Sequence, residues 1–178
     1  MISEFSVKPK AKNRRAIVLF WSFIALAVVA VALYAIAPRF KGFVGIGAIG
    51  MLTVAIYIFS KYIGIEYSYE IAFGRDGLPL FLVRQTVGRR STLMCNVALS
   101  SIRAVKKENK KERAAYVSPV GCAKYVFTPT VSPDEVYRVV SAENGTRVEI
   151  IIECSEEFAS LLRSYAEEAR SLFPESED

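Results

Sequence analysis

Hydrophobic and polar positions follow three patterns along this chain. From Ala16 to Ala37, and again from Gly42 to Ser60, the residues are apolar with almost no interruption. A helix of about 20 apolar residues crosses the hydrocarbon core of a bilayer, so each run predicts one span and the pair predicts a membrane hairpin. After Ile65 the pattern becomes alternating, which predicts strands. Glu66–Phe73, Leu78–Thr86, Ser91–Val97 and Ser101–Val105 are four of these, with turns at Gly74-Arg75-Asp76-Gly77 and Val87-Gly88-Arg89-Arg90. Lys124–Thr128 is a fifth, and Val136–Ser141 with Thr146–Glu153 forms a hairpin closed at Asn144-Gly145. The third pattern begins at Ser155, a helix cap. Beyond it Phe158, Leu161, Leu162, Tyr165, Ala169 and Leu172 mark one apolar face at the helical period.

Two stretches lack such a signal. Met1–Asn13 contains Pro9 and shows no period, so it reads as a flexible tail. Lys106–Arg113 (KKENKKER) is charged throughout and reads as a loop or a short helix. The predicted organisation is a basic tail over residues 1–15, a helical hairpin over 16–65, one α+β domain over 66–173 and an acidic tail over 174–178. The domain is expected to be a strongly bent antiparallel sheet of about seven strands, closed by the C-terminal helix.

Small residues mark candidate packing faces in the spans. Ala25, Ala32 and Ala35 fall near one face of the first, and Gly42, Gly45, Gly47 and Gly50 recur in the second. Such residues let helices approach closely, so Gly45, Gly47 and Gly50 are assigned to transmembrane packing. Residues 45–50 also spell GxGxxG, but a dinucleotide loop needs a preceding strand and a following soluble helix. Inside an apolar span the packing reading stands.

Charge fixes an orientation. Residues 1–65 carry eight basic residues and one acidic one, whereas residues 66–178 carry 15 basic and 17 acidic. The basic character therefore belongs to the flanks of the spans and not to a nucleic-acid footprint on the domain. Five of these charges lie between Lys8 and Arg15, and the positive-inside bias puts both ends of the hairpin in the cytoplasm. Ala35-Ile36-Ala37 resembles a leader cleavage site, but the run before it is longer than a signal-peptide core and Pro38 follows the bond. A retained anchor is expected. Cys95, Cys122 and Cys154 are odd in number and have no framework spacing, as in a reducing compartment.

Candidate chemistry is sparse. The chain has no histidine, which removes the commonest general base and the commonest transition-metal ligand. The cysteines form no CxxC pair and no visible partner activates them, so neither a catalytic site nor a cofactor or metal is predicted. Asp76 and Asp134 read as turn residues, and Asn144-Gly145-Thr146 as a hairpin turn rather than a glycosylated site. Lys106, Lys107, Lys110, Lys111 and Arg113, with Arg89 and Arg90 in another turn, are the candidate contacts for lipid headgroups or a partner. Glu108 and Glu112 dilute the first group, which also fits a solvated loop of mixed sign. Tyr116, Tyr125, Phe127 and Tyr137 are expected in the core, with a contact surface as the alternative.

The order of strands and closing helix resembles that of a pleckstrin-homology-like domain. The chain as a whole is similar to a family of small, uncharacterised bacterial membrane proteins with two N-terminal spans. The resemblance is carried by Tyr67-Ser68-Tyr69-Glu70-Ile71, Arg89-Arg90-Ser91-Thr92-Leu93, Ser101-Ile102-Arg103-Ala104-Val105 and Ser132-Pro133-Asp134-Glu135-Val136-Tyr137, together with the closing helix. It implies a PH-like domain at the inner face of the cell membrane. Phosphoinositide-binding pleckstrin-homology domains place basic residues on the first hairpin, where this chain offers only Arg75 beside Asp76. The reading of the sequence is a non-catalytic interaction module, an adaptor or accessory subunit. It would bind the bilayer and a membrane-protein partner or a second copy, and no nucleic acid. Direct sensing of anionic headgroups is the alternative.

Overall fold

The first strand lies where the sequence pattern predicted a tail. In the computed structural model, which describes residues 2–9, 13–36, 41–74, 76–143 and 146–172, β1 (Ile2–Val7) pairs antiparallel with β2 (Ile65–Phe73). Ile2 stands opposite Phe73 and Val7 opposite Tyr69, with a bulge between Ser3 and Phe5. The reading of Met1–Asn13 as a flexible tail is therefore corrected over Ile2–Val7. The strand escaped notice because its partner is more than 60 residues away and its short alternation ends at Pro9.

The chain divides into two units: Met1–Lys10, Glu66–Thr128 and Ser132–Asp178 form one, and Ala11–Ile65 with Pro129–Val131 forms the other. In the second unit α1 (Arg14–Ile36) and α2 (Lys41–Ile58) pack as a hairpin, and α2 runs on into a π-helical turn at Phe59–Ile63. Both helices are long and apolar enough to cross a membrane. Their expected limits, Ala16–Ala37 and Gly42–Ser60, shift by one or two residues, and Ala37 lies outside the described residues. Asn13 caps α1 by accepting the Ala16 N–H at 3.1 Å, and its Nδ2 donates to the Pro129 carbonyl at 2.7 Å.

The residues of the hairpin withdrawn from the surface include Ala16, Phe20, Phe23, Ala27 and Ala30 of α1 and Val44, Ala48, Met51, Ala55 and Ile58 of α2. Both sets step by four and three residues, the spacing of a coiled-coil seam, with alanines admitting close approach. This corrects the predicted face: Ala25, Ala32 and Ala35 point outward. Of the three assigned glycines, only Gly45 meets the other helix, with Tyr34 at 3.6 Å from its Cβ position. Gly47 and Gly50 have nothing within 4 Å. A seam of 3.5-residue period simply leaves them on other faces of α2.

The other unit holds two four-stranded sheets. The first has the order β1-β2-β3-β4, with β3 at Pro79–Val87 and β4 at Arg90–Ala98. The second has the order β5-β7-β8-β6, built from β5 (Ile102–Asn109), β6 (Ala123–Phe127), β7 (Glu135–Glu143) and β8 (Thr146–Ile152). All seven predicted strands are present, and β1 is the eighth among the described residues. One direction differs: β6 runs parallel to β8, against the antiparallel expectation. Alternation of side chains reports which face a residue takes but not the direction of its neighbour, so this was not legible. At the predicted Gly74–Gly77 turn, Gly77 has a φ of 73° and its N–H meets the Gly74 carbonyl at 3.2 Å, while Arg75 lies outside the described residues. Asn144 and Gly145 lie outside the described residues, as do the acidic residues after α4; the strands flanking the pair meet at Glu143 and Thr146.

Lys106–Arg113 is neither one loop nor one helix. β5 continues to Asn109, and α3 (Lys110–Ala115) follows. Asn109 caps it in a reciprocal box with Glu112, its Oδ1 accepting from Lys111 and Glu112 at 2.9 Å. The core gathers Tyr69, Ile71, Phe81 and Val83 from the first sheet. To these are added Val105, Tyr137, Val139, Ile150 and Ile152 from the second, and Phe158, Leu162 and Ala166 from α4 (Glu156–Leu172). Phe127 and Tyr137 are core residues as expected, whereas Tyr125 is half-exposed and lies parallel to Phe127, 6.2 Å between ring centres.

Candidate functional site

Where α4 meets the edge of the second sheet, it leaves a groove. Ser155 starts the helix by accepting the Phe158 N–H at 3.3 Å, and Glu156 and Glu157 occupy the positive first turn. Phe158, Leu162, Ala166 and Ala169 then bury their face in the core. Arg163, Glu167 and Arg170, spaced by four and three residues, form the stripe beside that face. Residues 102–106 of β5 supply the opposite wall, and the groove between them has a volume of about 270 Å³. Its charged lining is Arg103, Lys106, Arg163 and Arg170 against the single acid Glu167. β5 is the edge strand here, paired only with β7. Arg163 Nε donates to the Val105 carbonyl at 3.0 Å, so that carbonyl is turned away from β7 towards the helix.

The predicted basic residues do not form one patch. Lys106 lines the groove. Lys107 is engaged elsewhere, 2.9 Å from Glu135 and 3.4 Å from Glu156. The hydrogen bond to Glu135, helped by that to Glu156, holds its ammonium above the ordinary lysine value. Tyr137 donates to the same Glu156 carboxylate at 2.5 Å, and burial with that bond pushes the phenol up to about 12. Arg113 donates to the Pro133 carbonyl at 3.0 Å. Lys110 and Lys111 are exposed in the first turn of α3, and Arg89 and Arg90 stand exposed at the β3–β4 turn of the other sheet.

Sequence reading missed the groove's other arginines. Arg103 was read only as part of a strand, and Arg163 and Arg170 were not singled out. The available signal was their spacing beside the apolar stripe. It also missed the most buried charges. Arg138 of β7, 1% exposed, is gripped by both oxygens of Glu108, at 2.5 and 2.7 Å, and by Glu149 of β8. The Tyr116 ring lies 3.5 Å from the guanidinium carbon, and its hydroxyl donates to Glu149 at 2.5 Å, with Ser118 adding a bond at 3.1 Å. Burial opposes the charge on Glu149, but the bonds from Tyr116, Ser118 and Arg138 outweigh it and keep the carboxyl below its ordinary value. A charged residue within the apolar VYRVVSA strand was the visible sign. Glu108, read as diluting a basic loop, is one jaw of this clamp.

The thiols are quiet. Burial raises Cys95 and Cys122 and pushes Cys154 up to about 12, so all three stay protonated near neutral pH. Among the described residues no three His, Cys, Asp or Glu side chains are grouped to hold a metal ion. The arrangement is a basic groove beside the edge strand β5, whose Val105 carbonyl is bonded to Arg163, on a sheet that also carries a buried ionic clamp. No curated protein and no solved structure matches the chain. A family model described as Bacterial PH-like domain (DUF6106) matches residues 1–170, through both apolar helices and all eight strands, and the chain belongs to that family.

Proposed function

We propose that the protein is a membrane-anchored, non-catalytic interaction module, an adaptor or accessory subunit that presents its PH-like domain at the inner membrane surface. The observation that carries this reading is the pairing of β1 with β2. The two apolar helices are inserted between neighbouring strands of one sheet, so the residues before and after them must lie on the same side of any bilayer they cross. Two crossings and a return meet that requirement, and the basic flank before α1 favours the cytoplasmic side. The surfaces of the helices support a bilayer environment: outside their seam, Trp21, Val28, Ile46 and Ile56 are each more than 60% exposed.

The mechanism is positional. Only Gly64 separates the π-turn from β2, and six residues separate β1 from α1. The domain is tied to the hairpin twice, which raises its effective concentration for partners in the same membrane. A Gly/Ser insert after Gly64 is expected to weaken function while expression stays normal; indifference to the insert would overturn the positional mechanism. Cross-linking in intact membranes, followed by purification of the tagged full-length chain in mild detergent, is expected to recover a stoichiometric membrane protein. Recovery of the chain alone, or only of copies of itself, would remove the adaptor reading.

A second reading, direct binding of anionic headgroups, draws support from exposed Lys110 and Lys111. Replacing Lys106, Lys107, Lys110 and Lys111 with Gln would then abolish salt-sensitive binding to anionic vesicles. The engagement of Lys107 by Glu135 and Glu156 weighs against a single lipid patch.

A further inference from the structure

The loop that joins β6 to β7, Thr128–Asp134, is held near both ends by side chains from distant elements. Pro129 and Pro133 have no N–H, so only their carbonyls can bond. Asn13 Nδ2 donates to the Pro129 carbonyl at 2.7 Å, and Arg113 Nη2 donates to the Pro133 carbonyl at 3.0 Å. Asn13 is buried and also caps α1, its Oδ1 accepting the Ala16 N–H at 3.1 Å. One side chain therefore fixes both the start of that helix and the first end of the loop. Arg113 belongs to α3, which carries exposed Lys110 and Lys111. No residue of α3 is buried, so packing does little to hold it and the Arg113 bond counts for more. Thr130, Ser132 and Asp134 are engaged as well. The two prolines fix their own φ and bias Thr128 and Ser132 towards extended backbone, which stiffens the loop. A stiff segment gripped at both ends carries a displacement from one grip to the other.

We propose that this loop is a relay that couples the start of α1 to α3. The N-terminal end of the hairpin then controls how tightly α3 and its exposed lysines are held. With Asn13 on Pro129 and Arg113 on Pro133 the relay is closed. With Pro129 released, Pro133 and Arg113 part more readily and α3 loosens. Neither grip bridges the two units: Asn13 and Pro129 belong to the hairpin unit, Arg113 and Pro133 to the sheet unit, and the chain itself joins them. The relay gives the positional mechanism a regulated output, and rests on that reading. Coupling of this kind is reciprocal, so whatever engages α3 also biases the start of α1.

The test is hydrogen exchange on the full-length chain in neutral-lipid nanodiscs. Asn13→Asp keeps an oxygen to cap α1 but has no N–H for Pro129. Exchange of the α3 amides should rise at least fivefold, while α4 exchanges as in the unaltered chain and so reports that the variant is folded. Arg113→Ala should loosen α3 at least as much, and Asn13→Asp added to it should have no further effect, because both act through the same loop. Glu66→Gln, which removes the exposed ion pair with Lys8 at the other end of the hairpin, should leave α3 unchanged. Unchanged α3 exchange in Asn13→Asp, an additive double variant, or an equal rise in Glu66→Gln would each overturn the relay. The readout needs no partner, so the two readings fail separately. If α3 responds to Asn13→Asp while cross-linking recovers the chain alone, the coupling stands and the adaptor reading falls. If a stoichiometric partner is recovered while α3 ignores Asn13→Asp, the adaptor reading stands and the relay falls.

Discussion

The two units place the same residue types in opposite positions. In the helical hairpin, alanines close the interior and large apolar side chains such as Phe43 and Ile46 face outward; in the sheet unit, large apolar side chains fill the interior and even the buried charges are paired. Among the described residues no buried side-chain nitrogen or oxygen lacks a partner. The difference follows from the solvent each unit suits. Where the surroundings are as apolar as leucine, burying leucine gains little, and association comes from close backbone approach. Where they are water, apolar burial drives assembly and any charge taken inside has to be matched.

That contrast can be broken most severely in the sheet unit. Arg138→Ala would leave Glu108 and Glu149 buried without their partner, and loss of one member of a buried ionic cluster costs about 3–5 kcal/mol. Chemical denaturation of the full-length chain in detergent should show it, and Arg138→Lys should recover only part, since an ammonium lacks the two-pronged grip. A smaller loss is expected in the hairpin. Ala55→Leu forces a large side chain into a fully buried seam position, and overpacking costs about 1–3 kcal/mol. Gly47→Leu, with open space around its Cβ position, should leave the hairpin intact, and any loss it causes should appear only in co-purification of a partner helix.

The smallest effect is a pH dependence confined to the sheet unit. Glu149 is held below its ordinary value of 4.5, so it contributes stability above that value, and the contribution is lost as pH falls through the depressed one. Thermal melts from pH 7 down to 3 should therefore steepen below about pH 4.5. Glu149→Gln should flatten that limb while lowering stability at pH 7. An unchanged acid limb in the variant would remove Glu149 from the account.

What could be read in advance follows from the range of the interactions. The hairpin and α4 depend on runs and periods within one segment, and both fall where the pattern placed them. β1 depends on a partner beyond two helices, and nothing in Ile2–Val7 points to Phe73. The seam is marked by alanines at a 3.5-residue spacing, a signal weaker than the cluster of glycines in α2. The candidate site was legible by halves. Lys106 was singled out for its charge, while Arg163 and Arg170 sit more than 55 positions later and meet it only because α4 packs along the sheet edge. Lys107 and Glu108 are adjacent in a charged run, yet opposite faces of β5 send one to exposed acids and the other into a buried clamp.

The most direct test of the account is the side of the membrane on which the two flanks of the hairpin lie. Lys8 and Glu66 form an exposed ion pair at 3.7 Å across the β1–β2 junction. The double variant Lys8→Cys with Glu66→Cys, with Cys95, Cys122 and Cys154 replaced by Ser, can be probed in intact cells with a membrane-impermeant maleimide and a short thiol cross-linker. The account predicts no labelling from outside, labelling of both positions after permeabilisation, and an intramolecular cross-link. Labelling of the two positions from opposite sides would contradict the hairpin and the sheet that closes around it.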